Sequence, residues 1–582
     1  MLNPSLRRLV AALAGGIALL GLSMAAPPWT RAEAAGLKDL PAVSPVVSCA
    51  DLKTEDLTGV ADQPAHIRQT TEVRVGEAHP YCKIEGTVEP QVRFEVHLPL
   101  SGWTQRYLQT GCGGLCGNLN VRLDDHTVGC QPADDGELVL GSSDMGHEGG
   151  MDGAWAAHNE QARIDFGYRG MHVTAQVAKA LITRFYGRPA RYAYFSGCSD
   201  GGREALMEAQ RYPDDFNGIA AGAPALNFSV QNSFYHAWNA LSNTASDGRA
   251  ILTAAKLPIL HAAALAACDA ADGLKDGLIE EPRSCSFDPV VTLCKSGQDG
   301  SNCLTAAEVE MARRIYAGAH DASGRKLVAG GPMPGSELAW AGVFVPEHSG
   351  DRIFSGLIAQ GSIQYLYYPE PLPASWTLKD LKFDEATLDS FKYRSIYDAT
   401  NPDLSPFQKA GGRLLMWHGW SDPHISPLNS IAYYAAMQRF LGDKQVSEFV
   451  RLFLFPGMYH CGGGDGLFQF DVLTPLMAWV ESGQAPGKII ASHNTTPQPM
   501  GPPGGPPPKS GVVDRTRPVF AYPKVARYSG SGSIDDPASF VAADPPGAAT
   551  APVQWLGSKY MVPGLQQTCV TDGKEFSCKP AP

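Results

Sequence analysis

The chain divides by the spacing of its apolar positions. Between residues 43 and 110 apolar and polar side chains alternate, as in Arg93-Phe-Glu-Val-His-Leu98, which predicts half-buried antiparallel strands. From Ile164 to Tyr186 the period lengthens. Val173, Val177, Ala180 and Leu181 fall on one face and predict a long amphipathic helix. Tyr192-Ala-Tyr-Phe195 then reads as a short apolar strand. Arg203 to Arg211 reads as a helix burying Ala205, Leu206 and Ala209, and Phe216 to Pro224 as the next strand with its exit loop. From about 228 to 405 this alternation stops, and four cysteines, aromatic clusters and many glycines and prolines take its place. Strands resume at Arg413-Leu-Leu-Met-Trp417 and Phe449 to Phe455. Alternating strands and helices predict an α/β fold, and the break predicts an insertion. Pro497 to Pro508 is rich in Pro and Gly and predicts a surface loop.

Chemistry enters at Gly197-Cys-Ser199-Asp-Gly201, between a predicted strand and a predicted helix. This is the G-x-S-x-G pattern and context of the nucleophile elbow of α/β-hydrolases, which lifts the serine hydroxyl clear of the sheet. In that fold the acid and the histidine follow the serine in chain order. Asp422 follows the Arg413–Trp417 strand in His418-Gly-Trp-Ser-Asp422-Pro-His424, and His460 follows the Phe449–Phe455 strand. His418 and His424 lie too close in sequence to Asp422 to be easy partners and read as packing or pocket residues. Ser199 is preceded by Cys198 and His460 is followed by Cys461. If Ser199 and His460 meet, their neighbours come within disulfide range. The glycine-rich run Gly111 to Gly117 follows another predicted strand, where this fold carries half of its oxyanion hole. It lacks the Lys-Ser/Thr ending of a phosphate loop.

Composition places this chemistry in a compartment. Apolar residues make up 44% and charged residues 18%, the balance of a globular protein with a large core. The net charge of −12 and the lack of a basic run argue against nucleic acid as a partner. Arg7 and Arg8 precede the apolar stretch Leu9 to Leu22, and Ala32-Glu-Ala34 offers a cleavage site, so residues 1–34 read as a signal peptide. No other stretch approaches spanning length, which predicts no stable membrane association. Export to the periplasm or the medium makes the thirteen cysteines readable as disulfides. Proximity suggests Cys268 with Cys285, Cys294 with Cys303 and Cys569 with Cys578; Cys49 with Cys82 would tie down the mature N-terminus. Cys112, Cys116 and Cys130 are left over, and an odd total requires at least one thiol that is free or intermolecular.

Asp269-Ala-Ala-Asp272-Gly-Leu-Lys-Asp276-Gly-Leu278 sets three carboxylates within eight residues, with glycines that oppose a regular helix. A curled loop would gather them with the carbonyls of Leu274 and Leu278 into an oxygen cage suited to Ca²⁺. The plainer alternative is a solvated acidic turn.

Together these motifs resemble the tannase/feruloyl esterase family of α/β-hydrolases, which includes mono(hydroxyethyl) terephthalate hydrolases. The carrying residues are Gly197-Cys-Ser-Asp-Gly-Gly202, His418 to Pro423, His460-Cys461, Asp269 to Gly277, and Arg515-Thr-Arg-Pro518 with Ala526 to Gly532. The resemblance implies a Ser199–Asp422–His460 triad, a Cys198–Cys461 bridge and structural Ca²⁺ at Asp269, Asp272, Leu274, Asp276 and Leu278. It implies an oxyanion hole from the N–H of Asp200 and of Gly114 or Gly113, no organic cofactor, and small aromatic esters as substrates. Residues 35–227 and 406–582 would then form the catalytic domain and 228–405 a lid with the calcium site. Ile425, Tyr367 and Trp376 are candidates for the pocket wall, and Asp200, where many relatives have Thr, for its rim. A peptidase or acyltransferase would begin with the same serine chemistry, and amide turnover would discriminate them. A non-catalytic binding protein on this fold would be expected to lack part of the triad.

Overall fold

The computed structural model describes residues 36–74, 79–121, 123, 126–495, 512–546, 554–572 and 575–581. The signal peptide and the loop 497–508 expected from sequence lie outside these residues. Nine strands form one mixed sheet: β1 (Ala65–Val73), β2 (Tyr81–Val88), β3 (Val92–Pro99), β4 (Arg106–Thr110), β5 (Leu138–Ser143), β6 (Tyr192–Cys198), β7 (Gly218–Gly222), β8 (Arg413–Gly419) and β9 (Val450–Phe455). Their order is β1-β2-β3-β5-β4-β6-β7-β8-β9. The β1–β2, β2–β3 and β3–β5 pairs are antiparallel, and every pair from β5–β4 to β8–β9 is parallel. With helices on the sheet, this is an α/β-hydrolase fold.

The two halves of the sheet differ in burial, and the sequence pattern explains why. β3 alternates buried and half-buried residues along its length, whereas β7 is buried throughout. Crossover helices cover both faces of the parallel half, so its strands can be apolar without interruption. Tyr194 and Phe195 accordingly face opposite cores, Tyr194 with Trp417 and Leu476, Phe195 with Val177 and Leu181. The predicted long helix is α1 (Gly170–Tyr186), entered through a π turn at Asp165–Arg169 and ended by Gly187 in the left-handed region. Its buried stripe runs through Ala178 rather than Ala180.

Between β7 and β8, residues 228–405 form helices and turns without adding a strand to the sheet. Part of this stretch has its own core of Leu257, Leu260, Leu304, Ile315, Trp340 and Phe344. One stretch here departs from the expectation that no segment after the N-terminus approaches spanning length. Ala254–Asp272, with a mean hydropathy of 1.2, is long and apolar enough by length and composition to cross a membrane. It contains α2 (Leu257–Cys268), which has no charged residue. Leu257, Leu260 and Ala264 are buried, and the stretch ends in Cys268, bonded to Cys285, and the carboxylates Asp269 and Asp272.

Six disulfides are formed. Cys49–Cys82, Cys198–Cys461, Cys268–Cys285, Cys294–Cys303 and Cys569–Cys578 match the pairs expected from sequence. The sixth, Cys112–Cys116, lies within the glycine-rich loop. Cys130 is the free cysteine and is buried, with its thiol pushed up by burial and by Asp471.

Candidate active site

Ser199 sits between β6 and α3 (Asp200–Arg211), at φ 66° and ψ −120°. A non-glycine residue in that region is strained and is held only by its surroundings. Its N–H donates to the Gly222 carbonyl at 3.0 Å, and its own carbonyl accepts from Ala225 N–H at 3.0 Å and Arg203 N–H at 3.1 Å. The neighbouring glycines serve a purpose other than strain. A Cβ on Gly197 would lie 2.6 Å from the Gly201 backbone, and one on Gly202 would lie 2.3 Å from the Gly222 oxygen. The strained residue is therefore the serine, and the glycines permit its close packing.

Asp422 lies in the loop after β8, and His460 in the loop after β9. His460 Nδ1 donates to Asp422 Oδ2 at 2.7 Å. Asp422 Oδ1 accepts the N–H groups of His424 at 2.8 Å and Ile425 at 3.0 Å. Burial alone would raise this carboxyl, but attraction to His460 and hydrogen bonds from His418 and His460 hold it far below the usual carboxylate range. The Cys198–Cys461 bond, with Cα atoms 5.8 Å apart, ties the residue before Ser199 to the residue after His460. Ser199 and His460 are both half-buried and so reachable from solvent. The His424 ring lies tilted against the His460 ring at 4.7 Å, and Phe354 packs edge-on to His424 at 4.5 Å. His236, behind them, bonds Ser355 Oγ through Nδ1 at 2.9 Å. Burial, then the nearby His460, pushes His236 down to about 3 and His424 well below its ordinary value.

The glycine-rich loop is keyed into the elbow. Gly201 N–H donates to the Cys112 carbonyl at 2.7 Å, and Gly111 N–H to the Ser196 carbonyl at 3.0 Å. Between the two cysteines, Gly114 takes φ 65°. Asp200 opens α3, so its N–H belongs to the first turn, where helical amides have no partner within the helix. The Asp200 side chain, expected at the pocket rim, is buried instead. It pairs with Arg203 at 2.6 Å, and Arg203 also donates to the carbonyls of Phe166 and Gly167. Beside it Glu204 lies 2.7 Å from Cys112 Sγ, its carboxyl raised by burial and by Asp200.

The pocket candidates separate. Ile425 is part of the acid loop. Tyr367 is fully buried and stacked on Phe391 at 4.4 Å, so its ring is core rather than an open wall. Trp376 is half-buried against the same core, and its carbonyl accepts from Gln360 at 3.1 Å. Aromatic residues at helical spacing fill cores as readily as pockets, and the sequence offered no signal to tell them apart.

The acidic loop follows α2. Gly273 and Gly277, at φ 95° and 85°, turn the chain back on itself. Asp269 caps it by accepting from Asp276 N–H and Gly277 N–H, each at 3.0 Å. Asp272 is pushed up to about 6 by burial and by repulsion from Asp276 and Asp269. Arg517 pairs with Asp276. Carboxylates crowded until repulsion raises one of them are a donor set that fits a hard divalent cation.

Comparisons with known proteins agree with this geometry. A family model described as tannase and feruloyl esterase matches residues 73–543. The chain is 31% identical over 528 residues to mono(2-hydroxyethyl) terephthalate hydrolase of Piscinibacter sakaiensis, covering 80% of this chain and 85% of that one. It is 32% identical over 561 residues to an uncharacterized esterase of Xanthomonas campestris, covering 88% and 93%. The crystal structure of feruloyl esterase B from Aspergillus oryzae superposes with a TM-score of 0.72 at 28% identity, covering 85% of this chain and all of that one. With a family match over most of its length and this sheet and elbow, the chain belongs to the tannase and feruloyl esterase family and is a carboxylic ester hydrolase.

Proposed function

We propose that this protein is an exported serine esterase that cleaves esters of aromatic carboxylic acids through an acyl-enzyme. The observation that carries the reading is the 2.7 Å bond from His460 to Asp422, with Ser199 in a strained elbow tethered to His460 by the neighbouring disulfide. Ser199 Oγ attacks the ester carbonyl carbon and its proton passes to His460 Nε2. Asp422 holds the other ring nitrogen and stabilises the imidazolium. The N–H groups of Asp200 and of Gly114 or Gly113 receive the oxyanion. As the C–O bond breaks, His460 returns the proton to the leaving alcohol. Water, deprotonated by the same histidine, then releases the acid and restores the serine.

Residues 228–405 act as a lid, a role supported by Phe354 packing on His424 beside His460. One Ca²⁺ held by Asp269, Asp272, Asp276 and the carbonyls of Leu274 and Leu278 would neutralise the acidic loop and fix its turn. Export is supported by six disulfides and by the N-terminal Arg-Arg and apolar pattern. The aromatic acyl group is supported by the names of the relatives rather than by Tyr367.

The test is a panel of methyl ferulate, methyl gallate and a terephthalate monoester, with aromatic and aliphatic acyl esters of one shared alcohol alongside. Aromatic acyl esters are expected to exceed acetate and butyrate in kcat/KM. Equal turnover of the aliphatic esters would contradict the aromatic specificity, and loss of no activity in Ser199→Ala would contradict the triad.

A further inference from the structure

Asp422 is shared by two histidines. His418 is on β8, four residues before it, and is completely buried. Its Nε2 lies 3.2 Å from Asp422 Oδ2, the oxygen that faces His460, and 3.0 Å from the Ile425 carbonyl. Its Nδ1 lies 2.8 Å from Ser430 Oγ on α4 (Leu428–Leu441). An ionised carboxylate and a carbonyl only accept hydrogen bonds, so we assign the proton to Nε2, which both of them share.

We propose that His418 is a positioning residue for the acid. Its Nε2–H joins the loop 422–425 to β8, and Ser430 fixes the ring from the other side. The inference rests on the Ser199–His460–Asp422 reading. With His418 in place every lone-pair direction of Asp422 is used: two backbone N–H groups on Oδ1 and two imidazole N–H groups on Oδ2. A carboxylate so bonded cannot rotate about its Cβ–Cγ bond without breaking several bonds at once. Oδ2 therefore stays in line with His460 Nδ1. The bond from His418 also takes up part of the charge on Oδ2. That makes Oδ2 a weaker base and keeps the shared proton on His460 when its imidazolium forms. His418 is completely buried and has no surface to offer a substrate, so the contribution belongs to kcat rather than to substrate binding.

The experiment uses the purified full chain and p-nitrophenyl acetate, with melting temperature as a control. His418→Met keeps the volume and removes the donor. His418→Gln returns an N–H close to the position of Nε2. We expect His418→Met to lower kcat about 10- to 100-fold with KM within about twofold, the loss typical of one hydrogen bond to a charged group. His418→Gln should recover most of that loss at a similar melting temperature. Wild-type kcat in a folded His418→Met overturns the proposal, as does an equal loss in both variants, which would mark a packing role. If His418→Met does not fold, Ser430→Ala decides: a fall of about two- to fivefold in kcat at unchanged KM supports the proposal, and wild-type kcat overturns it. Ser199→Ala runs in parallel. Retained activity there would sink the triad itself, whereas its loss beside an active His418→Met would sink this inference alone.

Discussion

Asp422 and Asp272 are both carboxylates carried in tight loops, the first fully buried and the second half-buried, and their surroundings treat them in opposite ways. Asp422 has four N–H donors for its two oxygens and is held ionised. Asp272 has one backbone donor, Leu274 N–H at 2.8 Å, faces Asp269 and Asp276, and is pushed up to about 6. The difference teaches how to read buried acids. A saturated carboxylate is finished machinery and asks for nothing more. A crowded and under-bonded one, even with Arg517 paired to its neighbour Asp276, is a place that further positive charge would stabilise, and that is the ground on which we propose a divalent cation there.

The strongest way to break the comparison is to remove the charge from the finished loop. Asp422→Asn keeps the shape but leaves His460 Nδ1–H without a carboxylate, and kcat should fall by about 10³ to 10⁴. Steady-state kinetics at constant melting temperature measure this, and a loss under tenfold would contradict the role of Asp422. Next is the covalent tie. Cys198 and Cys461 are separated by 263 residues. Loop-closure entropy then puts an upper bound on the order of 5 kcal/mol on the contribution of their bond to stability. Cys198→Ala with Cys461→Ala should lower both the melting temperature and the activity of the protein that remains folded. An unchanged melting temperature would remove the bond from the account.

The acidic loop is tested by its cation. Saturating calcium at about 1,000 times its Kd should stabilise the fold by about 4 kcal/mol relative to chelated protein. Asp272→Asn should reverse sign with conditions, destabilising in calcium and neutral or stabilising in chelator, where it relieves repulsion. Destabilisation of the same size in both would mean that no cation is bound there. The smallest effect concerns a third kind of buried group. His147, whose Nε2–H donates to the Leu115 carbonyl 2.8 Å away, is pushed down to about 4 by burial. The unfolded chain takes up the proton near pH 6.5. The contribution of this histidine is therefore complete above pH 6.5 and is lost as pH falls toward 4. The loss amounts to about 3 kcal/mol. His147→Gln should flatten that part of the stability–pH curve in thermal melts, and an unaltered slope would contradict it.

The parts legible in the sequence were those whose cause is local or ordered along the chain. The elbow is a strand, five motif residues and a helix, and each of those signals is contiguous. The order of Ser199, Asp422 and His460 follows from the strands that carry them, and the Cys198–Cys461 pair from the places of those cysteines beside Ser199 and His460. What escaped depended on the third dimension. Asp200 reads as a rim residue until Arg203, one turn along the same helix, is seen to bury it. His418 lies only four residues from Asp422, a spacing that reads as too short for a partner, but the loop curls back and brings Nε2 to the carboxylate. Tyr367 could have faced a pocket or a core, and only its stack on Phe391 decides. Cys112, Cys116 and Cys130 leave the pairing open in sequence, and only the turn of the loop, with Gly114 at φ 65°, brings Cys112 to Cys116.

The central claim is that Ser199 is the nucleophile of an ester hydrolase driven by His460 and Asp422. Its most direct test is covalent labelling with diethyl p-nitrophenyl phosphate, followed by peptide mass spectrometry and residual activity on the same samples. The account predicts a diethylphosphoryl adduct on the peptide containing Ser199, formed in proportion to lost activity and absent from Ser199→Ala. An adduct on another residue that tracks inactivation, or wild-type turnover by Ser199→Ala, would contradict it.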